Sequence, residues 1–107
     1  MTDLMGLMKQ AQAMQQKMGE AQEKLAASQV VGEAGAGLVT LTLSGKGEMR
    51  ALSIDPSLLN PTEGEVVEDL VMAAYNDAKR KMEAMQQDVM KDVAGGLQLP
   101  PGMSMPG

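Results

Sequence analysis

The apolar residues of this chain change their spacing twice, and that change limits the folds open to it. Leu4, Leu7, Ala11, Met14, Met18, Ala21 and Leu25 step by three and four alternately, the heptad seam of a helix that packs against another. Val39, Leu41 and Leu43 then alternate with Thr40, Thr42 and Ser44, the period of a strand with one buried face. From Val67 the helical step returns through Leu70, Ala74, Ala78, Met82, Met85, Val89 and Val93. The class is therefore α+β: an N-terminal helix over about 3–27, a three-stranded antiparallel sheet within about 28–55, and a long C-terminal helix over about 62–94. At 107 residues the chain makes one domain.

Punctuation supports this order. Gln29, Val30 and Val31 read as a short first strand, broken by Gly32, Gly35 and Gly37. The "GKG" at 45–47 turns the second strand into a third, "EMRALSID", with Leu52 and Ile54 expected to point inward. Asn60 before Pro61 reads as a helix cap, and Thr62 with Glu65 offers a capping box two residues on, so the long helix has two candidate starts. Gly95 and Gly96 stop it. The far half of its stripe is narrow, which fits a helix running beyond its sheet or lying against another helix. "LQLPPGMSMPG" is aperiodic, and a disordered Pro/Gly tail is expected over about 96–107.

The first helix either lies on its own core or also projects to meet a second chain, and composition bears on that choice. The chain has no Phe, no Trp and one Tyr, so 12 Met must fill space that aromatic rings usually fill. Met14, Met18, Met82 and Met85 are expected in the core. A core this modest gains from shared apolar surface, and the packing set, in the core or across a dimer, is Leu4, Leu7, Met14, Met18, Leu25, Val39, Leu41 and Leu43.

With no Cys and no His, cysteine nucleophiles, Ser-His relays, disulfides and zinc sites with nitrogen or sulfur ligands are excluded. "GEAGAGLVT" lacks the Gly-Lys-Ser/Thr ending of a phosphate loop and leads into a strand, so tight chain reversal accounts for its glycines. Glu63, Glu65, Glu68 and Asp69 fan around a helix start instead of converging on a cation, where the helix dipole favours them. The chain is read as a non-enzyme, with no cofactor and no metal. Asp3 and the early Lys and Gln do not match a signal peptide, so a cytoplasmic location without membrane contact is expected.

The net charge of −5 is unevenly placed: residues 63–77 hold five acids and no base, and the other nine acids balance nine bases. Lys9, Lys17 and Lys24 lie away from the seam of the first helix, Lys46 and Arg50 flank the hairpin, and Lys79, Arg80 and Lys81 form the one run of three bases. A dimer would double these patches and space them for duplex phosphates, whereas the lack of aromatics disfavours stacking on single strands. The rival reading is a Met-rich helical adaptor for a partner protein, with incidental DNA affinity.

"LMKQAQAMQQKM", "VVGEAGAGLVTLTLSG", "LSIDPSLL", "EDLVMAAYNDAKRKMEAMQQDVM" and "LQLPPGMSMPG", in that order, resemble the YbaB/EbfC family of bacterial nucleoid-associated proteins over nearly the whole chain. The resemblance implies a homodimer with an α+β core and projecting helices. It would bind double-stranded DNA with low or broad sequence preference, alter its conformation, and influence nucleoid organisation and gene expression. By region, it places the DNA contacts on Lys9, Lys17, Lys24, Lys79, Arg80 and Lys81. No small-molecule substrate is implied, and "LPPG" has no physical account at this level.

Overall fold

The computed structural model describes residues 3–95. The tail expected over about 96–107 lies outside the described residues. The first helix, α1 (Leu4–Ala27), leads into three strands, β1 (Gln29–Ala34), β2 (Val39–Ser44) and β3 (Met49–Ile54). Two single 3-10 turns, Pro56–Leu58 and Pro61–Glu63, precede the long helix α2 (Gly64–Gly95). The strands form an antiparallel meander in the order β1-β2-β3, with a bulge between Thr42 and Leu43.

Of the two candidate helix starts, Asn60 is the cap in use: its carboxamide oxygen accepts the N–H of Thr62 at 3.1 Å. It caps the 3-10 turn, so the α-helix itself begins at Gly64. Asp55 does the same for the preceding turn, accepting the N–H of Ser57 at 2.9 Å.

One face of the sheet packs under α2. Val39, Leu41 and Leu43 are fully buried there with Leu58, Ala74 and Ala78, and Val67, Leu70 and Met82 border them. The helix axis comes unusually close to β1, because its contact residues are alanines and the strand offers Gly32. A Cβ on Gly32 would stand under 3.0 Å from both the carbonyl oxygen of Ala74 and the nitrogen of Ala78, closer than real Cβ atoms come. In the β1–β2 turn Gly35 and Gly37 have φ of 64° and 90°, the left-handed region that favours glycine.

This close seating has a cost at the other side of the sheet. The helix covers β1 and β2 and leaves β3 without a layer above it, so only Ile54 of that strand is half-buried. Leu52, expected inward with Ile54, shares the face of its partner Leu41 but is 44% exposed. The period gave its face correctly; the missing cover leaves it in solvent.

A second cluster joins the helices: Ala21 and Leu25 of α1 are buried against Val89 and Val93 of α2, with Met18 and Met85 beside them. The helices are antiparallel, since Gln86 donates to the carbonyl of Gly45 at 2.8 Å near Leu25, whereas Val93 lies near Lys17 and Ala21. Helix α2 therefore stops level with about Met18, and the first half of α1 runs on alone. Its seam residues Leu4, Leu7 and Met14 are 69%, 52% and 46% exposed. Met14 is thus outside the core in which it was expected, and Leu4 and Leu7 join it there. The radius of gyration, 20.4 Å against about 13 Å for a globular chain of this length, reflects the projection.

Candidate nucleic-acid interface

The projecting hairpin of α1 and α2 carries three of the eight cations singled out above, Lys9, Lys17 and Lys24. Lys9 is exposed on the lone half of α1, about 165° around the helix from the seam centre. Lys17 is half-buried and Lys24 exposed, and both line the shallow groove between the helices with Glu20 and Asp92. Among the described residues, none of the three forms an ion pair.

The run at 79–81 does not act as one patch. Consecutive helical positions differ by about 100°, so its three side chains leave α2 in three directions. Lys79 continues the line of Met72 and Tyr75 on one flank. Lys81 leaves from the opposite flank, where its ammonium lies 2.8 Å from the carbonyl of Val31 and 3.1 Å from a carboxylate oxygen of Asp77. Arg80 points outward between them, 3.3 Å from the other Asp77 oxygen and 72% exposed. Arg50 donates to the carbonyl of Ala26 at 3.3 Å.

Asp77 is the centre of an arrangement that sequence reasoning missed. Its carboxylate also accepts the backbone N–H of Glu33 at 3.0 Å. Together Asp77 and Lys81 satisfy a donor and an acceptor on the outer edge of β1, which blocks that edge to further strands. The spacing of Asp77 to Arg80 and Lys81 was visible as an i, i+3 and i, i+4 pattern, but the role of Glu33, 44 residues away, was not.

The Glu33 N–H, and after it the Lys81 ammonium, hold the Asp77 carboxyl below the usual carboxylate range. A carboxyl whose folded value is lowered stabilises the fold above its unfolded value, about 3.9, and loses that contribution as pH falls through the folded one. Wild type is therefore expected to unfold at a higher temperature than Asp77→Asn near pH 7. The gap should close as thermal scans are taken below about pH 4. A gap that stays constant into acid would contradict this role.

The opposite sheet edge is open. No hydrogen bond among the described residues reaches the outer edge of β3, and beside it lies a continuous apolar face of Met49, Leu52, Met72 and Tyr75, with Leu41 and Val71 at its floor. Met49 is 54% and Met72 58% exposed. An open edge next to uncovered apolar surface is the usual precursor of a chain-to-chain contact. Of the packing set, Val39, Leu41, Leu43 and Leu25 are buried within one chain, Met18 is half-buried, and Leu4, Leu7 and Met14 are left uncovered. No group of three or more carboxylates converges among the described residues, and none of their helices is long and apolar enough to cross a membrane.

A hairpin of helices that holds spaced cations away from an α+β body has the form of a binding protein for an extended polyanion. The chain belongs to the YbaB/EbfC DNA-binding family, whose model matches residues 1–97. A nucleoid-associated protein of Maricaulis maris is 65% identical over 106 residues, covering 99% of each chain. Nucleoid-associated proteins of Granulibacter bethesdensis and Agrobacterium fabrum are 57% and 53% identical over 106 residues, again covering 99% of each chain. The crystal structure of an uncharacterized protein from Helicobacter pylori superposes with a TM-score of 0.78 at 25% identity, covering 89% of this chain and all of the other.

Proposed function

We propose that this protein binds duplex DNA as a homodimer with low or broad sequence preference, changes the conformation of the DNA, and through it influences nucleoid organisation and gene expression. It would act in the cytoplasm, on the nucleoid. The observation that carries the reading is Lys9, exposed on the lone half of α1 with no acid between residues 4 and 19, followed by Lys17 at the mouth of the groove that Glu20 and Asp92 also line. Family membership and the names of the relatives support the DNA partner. Lys24, Lys79 and Arg80 add charge at wider spacing. Lys81, already held by Asp77 and Val31, contributes less.

Pairing would run through the face of β3, Met49, Leu52, Met72 and Tyr75. Its two-fold symmetric use by two copies hides apolar surface on both at once. Dimerisation doubles the lysines and sets the two hairpins at a fixed separation. Contacts to phosphate without base readout give affinity that is indifferent to sequence.

Such binding weakens with salt, because each neutralised phosphate releases a counterion. Lys9→Gln removes one contact per chain and two per dimer, so the slope of log affinity against log salt is expected to flatten by about 1.8. Lys17→Gln should do the same, and the dimer should persist in both. A slope unchanged by either substitution would remove these lysines from the interface. Salt-insensitive capture of a partner protein, lost when the exposed Met14 is replaced (Met14→Asp), would favour an adaptor instead.

A further inference from the structure

The lone half of α1 presents an apolar seam that neither the fold nor the DNA reading uses. Leu4, Leu7, Ala11 and Met14 are exposed in a row, on the side of the helix away from Lys9. The seam is continuous with the buried contact of Met18 and Ala21 on Val93, and it begins where α2 ends. The chain therefore leaves Gly95 beside the first uncovered seam residue.

The sequence that follows suits this surface. Residues 96–107 contain no Asp, Glu, Lys or Arg, in a chain where those residues make up 21%. They hold instead Leu97, Leu99, Met103 and Met105 in two alternate pairs around Pro100 and Pro101. The segment is rich in Pro and Gly, but its lack of charge and its four large apolar side chains set it apart from a charged, solvated linker. At about 3.1 Å per residue, residues 97–105 reach about 25 Å, and residues 4–14 of α1 rise about 15 Å. Reach is sufficient, and a tethered segment needs far less contact area than a separate chain, because its effective concentration is high. A short helical seam offers little area to a second copy by comparison with the roughly 1,200 Å² that stable interfaces bury.

We propose that residues 97–105 dock along the α1 seam formed by Leu4, Leu7, Ala11 and Met14, as a strap that continues the helical hairpin beyond the end of α2. The strap covers the apolar side of α1 and leaves its lysine side open. The Leu-Pro-Pro-Gly stretch then has a physical purpose, because two prolines cut the conformational freedom lost on docking. Docking of the strap is independent of what Lys9 and Lys17 bind.

Disulfide trapping tests it cleanly, since the chain has no cysteine of its own. In the full chain, Met14→Cys with Leu99→Cys puts one thiol on the seam and one on the strap. Gln12→Cys with Leu99→Cys moves the helix thiol to the opposite face at nearly the same height. The first pair is expected to close an intrachain disulfide at least ten-fold faster than the second, with helix content by circular dichroism unchanged in both. Equal rates would overturn the proposal. So would faster formation of a chain-to-chain disulfide by Met14→Cys alone, which would give the seam to a second copy.

Discussion

Gly32→Ala is expected to lower the unfolding free energy by about 3 kcal/mol, the upper part of the range for overpacking a well-fitted contact. The added methyl group meets backbone, the Ala74 carbonyl and the Ala78 nitrogen, and neither can rotate away as a side chain would. Relief requires lifting α2 off β1, which would pull Ala74 and Ala78 from the main core and strain the Asp77 bond to Glu33. For a small domain with a total stability of about 5–15 kcal/mol, that is a large share. The control is Gly19→Ala, mid-way along α1 with nothing within 4 Å of the new Cβ. There the better helix propensity of alanine should raise stability by up to about 1 kcal/mol. Urea denaturation of the two variants beside wild type reads both. Equal effects at the two positions would mean that α2 does not sit on β1 as closely as described.

On the proposed pairing through β3, Leu52→Asp is expected to separate the two copies while leaving the single chain folded. Leu52 is 44% exposed in one chain, so a carboxylate there is hydrated until a second copy covers it. Covering it then costs the desolvation of a charge without a partner, and central interface positions of this kind typically cost about 2 kcal/mol or more. The dimer dissociation constant should rise by at least about 30-fold, read by sedimentation or light scattering across a dilution series. The circular dichroism spectrum should not change. Duplex affinity should fall with it, because one hairpin replaces a linked pair. A Leu52→Asp chain that remains dimeric would move the interface away from β3.

How much of this was written in the sequence depends on whether a feature is local. Helix α1, strand β2 and the stripe of α2 follow from spacing alone, and each forms over the expected residues, because an amphipathic period needs no knowledge of the partner. Leu52 shows where that stops. Its register face could be read, but whether a helix lies above it depends on where α2 crosses the sheet. That crossing is fixed by Gly32 and two alanines in remote segments. Met14 is the same case along a helix: the seam continues through it, and only the relative lengths of α1 and α2 decide that the partner has ended.

The candidate interface was legible as residue types and not as directions. Lys9 could be placed on the wet side of α1 by angle alone, whereas Lys17 and Lys24 line the groove against α2, which the angle did not show. The three bases at 79–81 read as one patch in sequence, yet the helix spreads them, and β1 claims Lys81 through the carbonyl of Val31. No local pattern announces a bond between a side chain and a strand 50 residues away.

Whether two chains together hold a double helix by its phosphates is tested most directly by the binding constant of the wild-type protein for two duplexes of unrelated sequence, taken at several salt concentrations between about 50 and 200 mM. Two falling straight lines of equal slope on logarithmic axes are expected, with two chains in each complex. Binding that ignores salt, or a complex holding a single chain, would contradict it.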